Sequence, residues 1–274
     1  MIVGSQPGGQ TMAILTILAL LVSAVCLLLS LRAGDGTARR ARRGTLDRAG
    51  MIALLAVWGL LVPFNLVSHL AGDHEAWIFG SETFDGGVVE NLTILFYTLA
   101  VAVSGLLFLR ASRLYGEASA GAWRLILAFI TVCFILMIGE EASWGQHLLG
   151  FATPSDLAAV NLQGESNLHN LVSPRLYDLI YQVMGFAFIL TPPAAWFGLR
   201  GRTRPSLILF LQEVYRRPVV YALMASSGVL LQHEALEELA EMVLAFAIFY
   251  TLTDLAWRTV RRSDGASEHA ATVP

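Results

Sequence analysis

The stretch Leu125 to Gln146, LILAFITVCFILMIGEEASWGQ, decides the fold, because an apolar run ends there in two adjacent glutamates. The apolar part, Leu125 to Ile138, has the composition of a helix that crosses a membrane, which takes about 20 residues for a ~30 Å hydrocarbon core. Charged side chains joined to such a span are costly near lipid and usually have a function. Glu140 and Glu141 therefore mark a candidate site at one end of a membrane helix.

The composition of the 274-residue chain is that of an integral membrane protein. It is 55% hydrophobic and 14% charged, with a mean hydropathy of +0.61, whereas soluble domains carry about 25% charged residues. The sequence predicts one all-α, polytopic domain over residues 1–262 and a disordered cytoplasmic tail over 263–274. We expect seven transmembrane helices, at 11–31, 51–71, 91–110, 124–140, 177–199, 218–233 and 239–257.

Two features leave details of this topology open. The sequence HEALEELAE, between the last two predicted spans, contains neither Gly nor Pro for a turn. A half-inserted segment followed by one long helix is therefore an alternative to two full crossings. Within the fifth span, Pro192 and Pro193 predict a kink or a break, because proline removes a backbone donor and clashes with the preceding turn.

Arginine predicts the orientation of the chain. The chain has 18 basic residues, all of them Arg, and only Arg175 falls on the side of the membrane opposite to the rest. Because basic residues mark the cytoplasmic face, the N-terminus is expected outside and the C-terminus inside, in a bacterial inner membrane. The same arginines favour membrane lipid as a partner and argue against nucleic-acid binding.

Three segments expected on the outer side combine carboxylates, imidazoles and amides. The first is the helix end, with Glu140, Glu141, Ser143, Trp144, Gln146 and His147. The second is the polar loop NLQGESNLHN, with Asn161, Gln163, Glu165, Asn167, His169 and Asn170. The third is the acidic turn, with His233, Glu234, Glu237, Glu238 and Glu241. Residues 142–174, hereafter the connecting segment, are predicted to be re-entrant or interfacial.

Helical spacing predicts which of these side chains share a face. If the helix continues past Glu141, Glu140, Ser143 and His147 lie on one face, and His233, Glu237 and Glu241 recur at every fourth position. Like charges at this spacing destabilise a helix. Neutral carboxyl groups, a bound divalent metal or a cationic substrate are the three remedies.

From these residue types we predict the following roles. The candidate catalytic residues are Glu140, Glu141 and Glu165. The candidate metal ligands are His169, Glu234, Glu237, Glu238, Glu241, His147 and His233, because Glu and His suit Zn, Mn or Fe, while Glu with amide oxygens suits Ca or Mg. The candidate substrate-binding or structural polar residues are Trp144, Gln146, Asn161, Gln163, Asn167 and Asn170. In the simpler interpretation, the acidic turn is a solvated helix end and Glu140 and Glu141 only make interfacial hydrogen bonds.

The strings EEASWGQ (140–146) and NLQGESNLHN (161–170) together resemble a pattern of uncharacterised bacterial multi-pass membrane proteins. The resemblance covers about thirty residues. It implies a multi-pass membrane protein and no particular activity.

Three functions are compatible with the sequence. The first is a membrane-embedded, metal-dependent enzyme, hydrolase- or transferase-like, acting on a lipid or lipid-linked substrate at the outer leaflet. The second is a proton- or cation-coupled transporter or channel using the same carboxylates, although the first three spans carry almost no ionisable groups. The third is an accessory membrane subunit. No motif for nucleotide binding or for a serine nucleophile is present.

Overall fold

The computed structural model describes residues 37–70, 87–162, 164–168, 171–198, 217–233 and 236–271, and within these ranges all regular structure is helical. Four helices are long and apolar enough to cross a membrane: Asp47–Val67, Val88–Leu109, Glu117–Glu141 and Glu237–Arg258. The described part of the protein is therefore all-helical, with four candidate membrane-spanning helices.

The described helices are numbered in chain order. The helices that build the bundle are α1 (Thr37–Ala56), α2 (Val62–Leu70), α3 (Val88–Leu109), α5 (Glu117–Glu141), α8 (Pro174–Gly198), α9 (Pro218–Leu230) and α10 (Glu237–Ala271). The shorter helices are α4 (Ala111–Tyr115), α6 (Gln146–Leu149) and α7 (Ser155–Ala158). A π-turn, Val57–Leu61, joins α1 to α2, and a 3-10 turn, Ser143–Gly145, follows α5.

Four predicted spans, 51–71, 91–110, 124–140 and 239–257, coincide with the four long apolar helices. The predicted span 11–31 lies outside the described residues. The span 177–199 corresponds to α8, whose helix continues through Pro192 and Pro193 without a break. The span 218–233 corresponds to the 13-residue α9, which is about 20 Å long at 1.5 Å per residue.

At its C-terminal end, α10 differs from the sequence prediction. The helix runs on to Ala271, through most of the segment predicted as a disordered tail. The stretch Ala266 to Ala271 contains three alanines and a glutamate, which are strong helix formers. The helical backbone therefore extends about 20 Å beyond Arg258.

Helix α10 is the centre of the bundle. Within its apolar window 67% of the residues are buried, against 17% to 28% for the other three long helices. It packs on α3 and α9, while α5 also packs on α3 and α8 also packs on α9. Ala240, Ala245 and Ala247 are fully buried, and such small side chains let membrane helices approach closely.

Helices α9 and α10 form an antiparallel pair. At one end Arg217, which precedes α9, pairs with Asp254 of α10 at 2.5 Å and with Asp47 at 2.7 Å. At the other end the Ser227 hydroxyl donates a hydrogen bond of 2.9 Å to the Ala240 carbonyl. Burial by itself lowers the pKa of Arg217, but its hydrogen bonds and attraction to Asp254 and Asp47 outweigh burial and raise the pKa. Arg217 therefore remains a cation that fixes this end of the pair.

Helices α8 and α9 cross at a point where each helix has a glycine, so that no side chain separates the two backbones. A Cβ built on Gly228 would lie 2.5 Å from the carbonyl oxygen of Gly185, and one built on Gly185 would lie 2.5 Å from the carbonyl oxygen of Gly228. Real Cβ atoms do not approach backbone so closely. The two glycines therefore set the distance at which α8 docks on the bundle.

We expect Gly228→Ala to separate α8 from α9 and to lower the thermal unfolding midpoint in detergent, at a cost of about 1–3 kcal/mol for overpacking. Gly105→Ala is the matched control, because a Cβ on Gly105 meets nothing within 4 Å. The control should leave stability unchanged or raise it, since alanine is the better helix former. Equal midpoints for the two variants would contradict this description of the crossing.

Candidate functional site

The chain turns sharply where α5 ends. Ser143 and Trp144 have positive φ angles of 43° and 55°, which are uncommon for residues other than glycine. The helix therefore stops at Glu141, and the predicted common face of Glu140, Ser143 and His147 does not form on one continuous helix. The side chain of His147 lies outside the described residues. Such backbone costs of order 1–3 kcal/mol for each residue, so surrounding contacts must hold it in place.

Glu140 holds the turn closed. The indole N–H of Trp144 donates a hydrogen bond of 2.9 Å to Oε1 of Glu140, and the backbone N–H of Leu168 donates one of 2.7 Å to Oε2. The Trp144 ring lies over Gly139, where a Cβ would come within 2.8 Å of it. Both carboxylate oxygens of Glu140 are thus used to fasten the connecting segment to the end of α5.

A polar network fills the inside of the connecting segment. Oε2 of Glu165 accepts hydrogen bonds of 2.7 Å from the Ser143 hydroxyl and 2.7 Å from the Asn167 amide. Asn161 donates to Asn167 at Oδ1 (3.0 Å) and at the backbone oxygen (2.8 Å), and it accepts from the Glu165 N–H at 3.1 Å. Asn167 is 2% exposed. These residues hold one another and define a folded segment.

Gln146 extends the same network. Its Oε1 accepts hydrogen bonds from the Ser166 backbone N–H at 2.8 Å and from the Thr153 hydroxyl at 3.1 Å. Gln163, His169 and Asn170, the remaining predicted residues of the polar loop, lie outside the described residues. Among the predicted polar residues, Trp144, Gln146, Asn161 and Asn167 therefore have structural contacts. Roles of these residues in substrate binding stay predictions.

Glu141, the last residue of α5, belongs to a different cluster from its neighbour Glu140. One carboxylate oxygen from each of Glu141, Glu238 and Glu241 lies within 4.8 Å of the others, and among the described residues this is the group that could hold a metal ion. We call it the carboxylate centre. Glu141 and Glu241 are half-buried and Glu238 is exposed, so the centre is open on the Glu238 side.

The acidic turn contributes different residues from those that the spacing predicted. Helix α10 begins at Glu237, so His233 lies in the turn before it and does not share a helical face with Glu241. Glu238 and Glu241, three residues apart, face the centre, whereas Glu237 is not part of it. Glu234 lies outside the described residues.

The Glu141 and Glu241 carboxyl groups hydrogen-bond to each other. A hydrogen bond between two carboxyl groups needs one proton, because an ionised carboxylate is only an acceptor. The helix dipoles act unequally here, since the negative end of α5 disfavours charge on Glu141 while the positive end of α10 favours charge on Glu238. Three carboxyl groups thus face one another between the end of α5 and the start of α10.

Tyrosines from two other helices surround the centre. On α8 the Tyr177 hydroxyl donates to the Tyr181 hydroxyl, which in turn donates to Oε1 of Glu241. On α3 Tyr97 is 1% exposed, and Glu241 and Glu141 are the charges that act on its hydroxyl. The charge of Glu90, two turns earlier on α3, acts on Glu141 and Glu238. Four helices thus converge on the centre.

Sequence reasoning missed the three tyrosines. Tyr177 and Tyr181 are four residues apart near the start of a predicted span, which places them on one helical face. That spacing is the signal that could have indicated them. Tyr97 lies inside an apolar run with no such signal, and only the packing of α3 on α10 brings it to the centre.

Comparison with known proteins provides no relative: no family model, curated protein or solved structure matches the chain.

We expect Asn167→Ala to loosen the connecting segment, because it removes the donor that Glu165 uses and the acceptor that Asn161 uses. Each hydrogen bond lost in this way costs about 0.5–1.5 kcal/mol. The measurement is the rate of limited proteolysis between residues 146 and 171, which should rise in the variant. Asn91→Ala is the control, since Asn91 is exposed and its amide donates to the Gly87 carbonyl at the start of α3, away from the connecting segment in sequence. Unchanged cleavage in Asn167→Ala would contradict this role of the network.

Proposed function

We propose that the protein is a membrane-embedded enzyme that uses a divalent metal held by Glu141, Glu238 and Glu241 and acts on a lipid or lipid-linked substrate at the outer leaflet. The observation that carries the proposal is the approach of three carboxylate oxygens, from the ends of two helices, to within 4.8 Å of one another.

Charge balance favours a metal over a proton alone. A single proton shared by Glu141 and Glu241 leaves two negative charges on the three carboxylates, and Glu90 adds to the repulsion. A divalent cation balances those charges. Its attraction to the carboxylates is strong because water screens poorly near lipid.

The ligand atoms favour a hard cation. All three are carboxylate oxygens, the ligands that Ca²⁺, Mg²⁺ and Mn²⁺ prefer, whereas the predicted imidazole ligands His147 and His169 have no described side chain. Because the three oxygens lie within 4.8 Å of one another, all of them can reach a single ion.

The chemistry follows from the open side of the centre. When bound, the metal would polarise an ester or phosphate oxygen, or lower the pKa of a water molecule. Exposed Glu238 borders the side from which a substrate head group approaches, and a glutamate that does not bind the metal can accept the proton of the attacking water. Glu140 and Glu165 remain proposed catalytic residues, although their described contacts fasten the connecting segment.

The proposal includes the topology, with the N-terminus outside, the C-terminus inside and the chain in a bacterial inner membrane. The arginine distribution supports this orientation. The antiparallel arrangement of α9 and α10 supports a short full crossing for α9, as part of the seven spans.

We expect purified protein in lipid nanodiscs to bind Mn²⁺ stoichiometrically, measured by electron paramagnetic resonance, with competition by Ca²⁺ and Mg²⁺. Glu141→Gln and Glu241→Gln should each weaken binding at least about tenfold, as loss of a metal-site interaction does. Glu117→Gln is the control, because Glu117 is exposed at the opposite end of α5 and should leave affinity unchanged. The metal proposal would be contradicted if Mn²⁺ did not bind stoichiometrically, or if all variants bound it with equal affinity.

A second measurement tests for enzymatic activity. Liposomes containing lipid phosphates, lipid esters and lipid-linked sugars, incubated with the protein and Mn²⁺, should yield a cleaved or transferred product detectable by mass spectrometry. Chelator should abolish product formation because it removes the metal, and Glu141→Gln should lower it because the variant binds the metal more weakly. Metal binding without turnover of any such lipid would argue for transport, and flux of Mn²⁺ into proteoliposomes would then be the observation to make.

A further inference from the structure

The connecting segment buries polar side chains and exposes large apolar ones. Among its described residues the buried side chains are polar: Ser143, Asn161 and Asn167 are 3%, 6% and 2% exposed. Its exposed side chains include a set of large apolar residues. These are Trp144, Leu149, Phe151, Val160, Leu162, Leu168 and Leu171, and Leu149, Val160 and Leu162 are more than 60% exposed.

A segment folded in water has the opposite arrangement. Leucine side chains leave water for the interior, and asparagine and glutamate side chains stay in contact with it. Here the hydrogen bonds of Asn161, Glu165 and Asn167 are made to one another and to Ser143, as they must be where water does not reach. Buried polar and exposed apolar side chains together are typical of a surface that contacts an apolar environment.

The helices on either side of the connecting segment expose apolar side chains next to it. The segment follows directly on α5, whose last turns expose Ile135 and Leu136, and it leads directly into α8, whose first turns expose Leu176 and Leu179. The apolar surface of the segment is therefore continuous with helix surfaces that face lipid. Glu140, at the end of α5, accepts hydrogen bonds from Trp144 and from the Leu168 backbone, which fastens the segment to this end of the helix.

We propose that the connecting segment is inserted into the outer leaflet of the same bilayer, with Leu149, Leu162 and Leu168 among the acyl chains. Lipid acyl chains then cover the exposed apolar side chains of the segment. Inserted amphipathic elements bury their apolar face just below the head groups. Glu141, one residue before the segment, then lies at the depth of the lipid head groups, and the carboxylate centre is reached sideways from the leaflet. The insertion stands whether or not the centre binds a metal.

The experiment uses the full chain in liposomes with Cys26 and Cys133 replaced by alanine. Single cysteines at Leu149, Leu162 or Leu168 carry an environment-sensitive fluorophore, and Asp156→Cys is the matched control, because Asp156 is an exposed charged residue of the same segment. Quenching is measured with nitroxide-labelled lipid from within the membrane and with iodide from water. The thermal unfolding midpoint of each labelled protein shows that it is folded.

We expect the fluorophores at the three leucine positions to be quenched by the lipid nitroxide and to show a several-fold smaller iodide quenching constant than the one at position 156. Iodide quenching equal to that at position 156 would overturn the proposal. Protection from both quenchers would also overturn it, since a protein partner or a second copy would then cover the surface. Because no step uses a metal, failure here is distinct from failure of Mn²⁺ binding.

Discussion

The structure depends on how carboxylates are accommodated at the end of an apolar bundle. Near lipid, an ionised group without a partner is unstable, so each glutamate there must find donors, a proton or a cation. Glu140 and Glu165 have donors from Trp144, Leu168, Ser143 and Asn167. The three glutamates of the carboxylate centre instead face one another and the tyrosines of α3 and α8.

Two adjacent residues thus have different roles. Glu140 and Glu141 are about 100° apart around a helix, so they point to different surroundings. Glu140 points toward the turn at Trp144 and supports the connecting segment, whereas Glu141 points toward α10. The hydrogen bonds of Glu140 also matter for the carboxylate centre, because they fix the turn that ends α5, and Glu141 is the last residue of that helix.

Helix α10 connects this centre with a second charged group at Asp254, near its middle. Glu241 and Asp254 are 13 residues apart, about 20 Å along the helix, which is shorter than the ~30 Å hydrocarbon core. Both ends of this stretch therefore lie near lipid, and both are partnered: Asp254 by Arg217 and Arg258, Glu241 by Tyr181 and Glu141. The uninterrupted helix between them fixes this distance.

The sequence by itself determined the helical membrane class, four of the predicted spans and the acidic character of one end, because hydropathy and charge placement follow from local composition. It also located the two strings that form the connecting segment. Only the tertiary structure decided that Glu141 meets Glu238 and Glu241 while Glu140 and Glu165 bind the segment, and that Tyr97, Tyr177 and Tyr181 belong to the site. The reason is physical: spacing fixes neighbours on one helix, but the positive φ angles at Ser143 and Trp144 and the packing of α8 and α3 around α9 and α10 decide which faces meet.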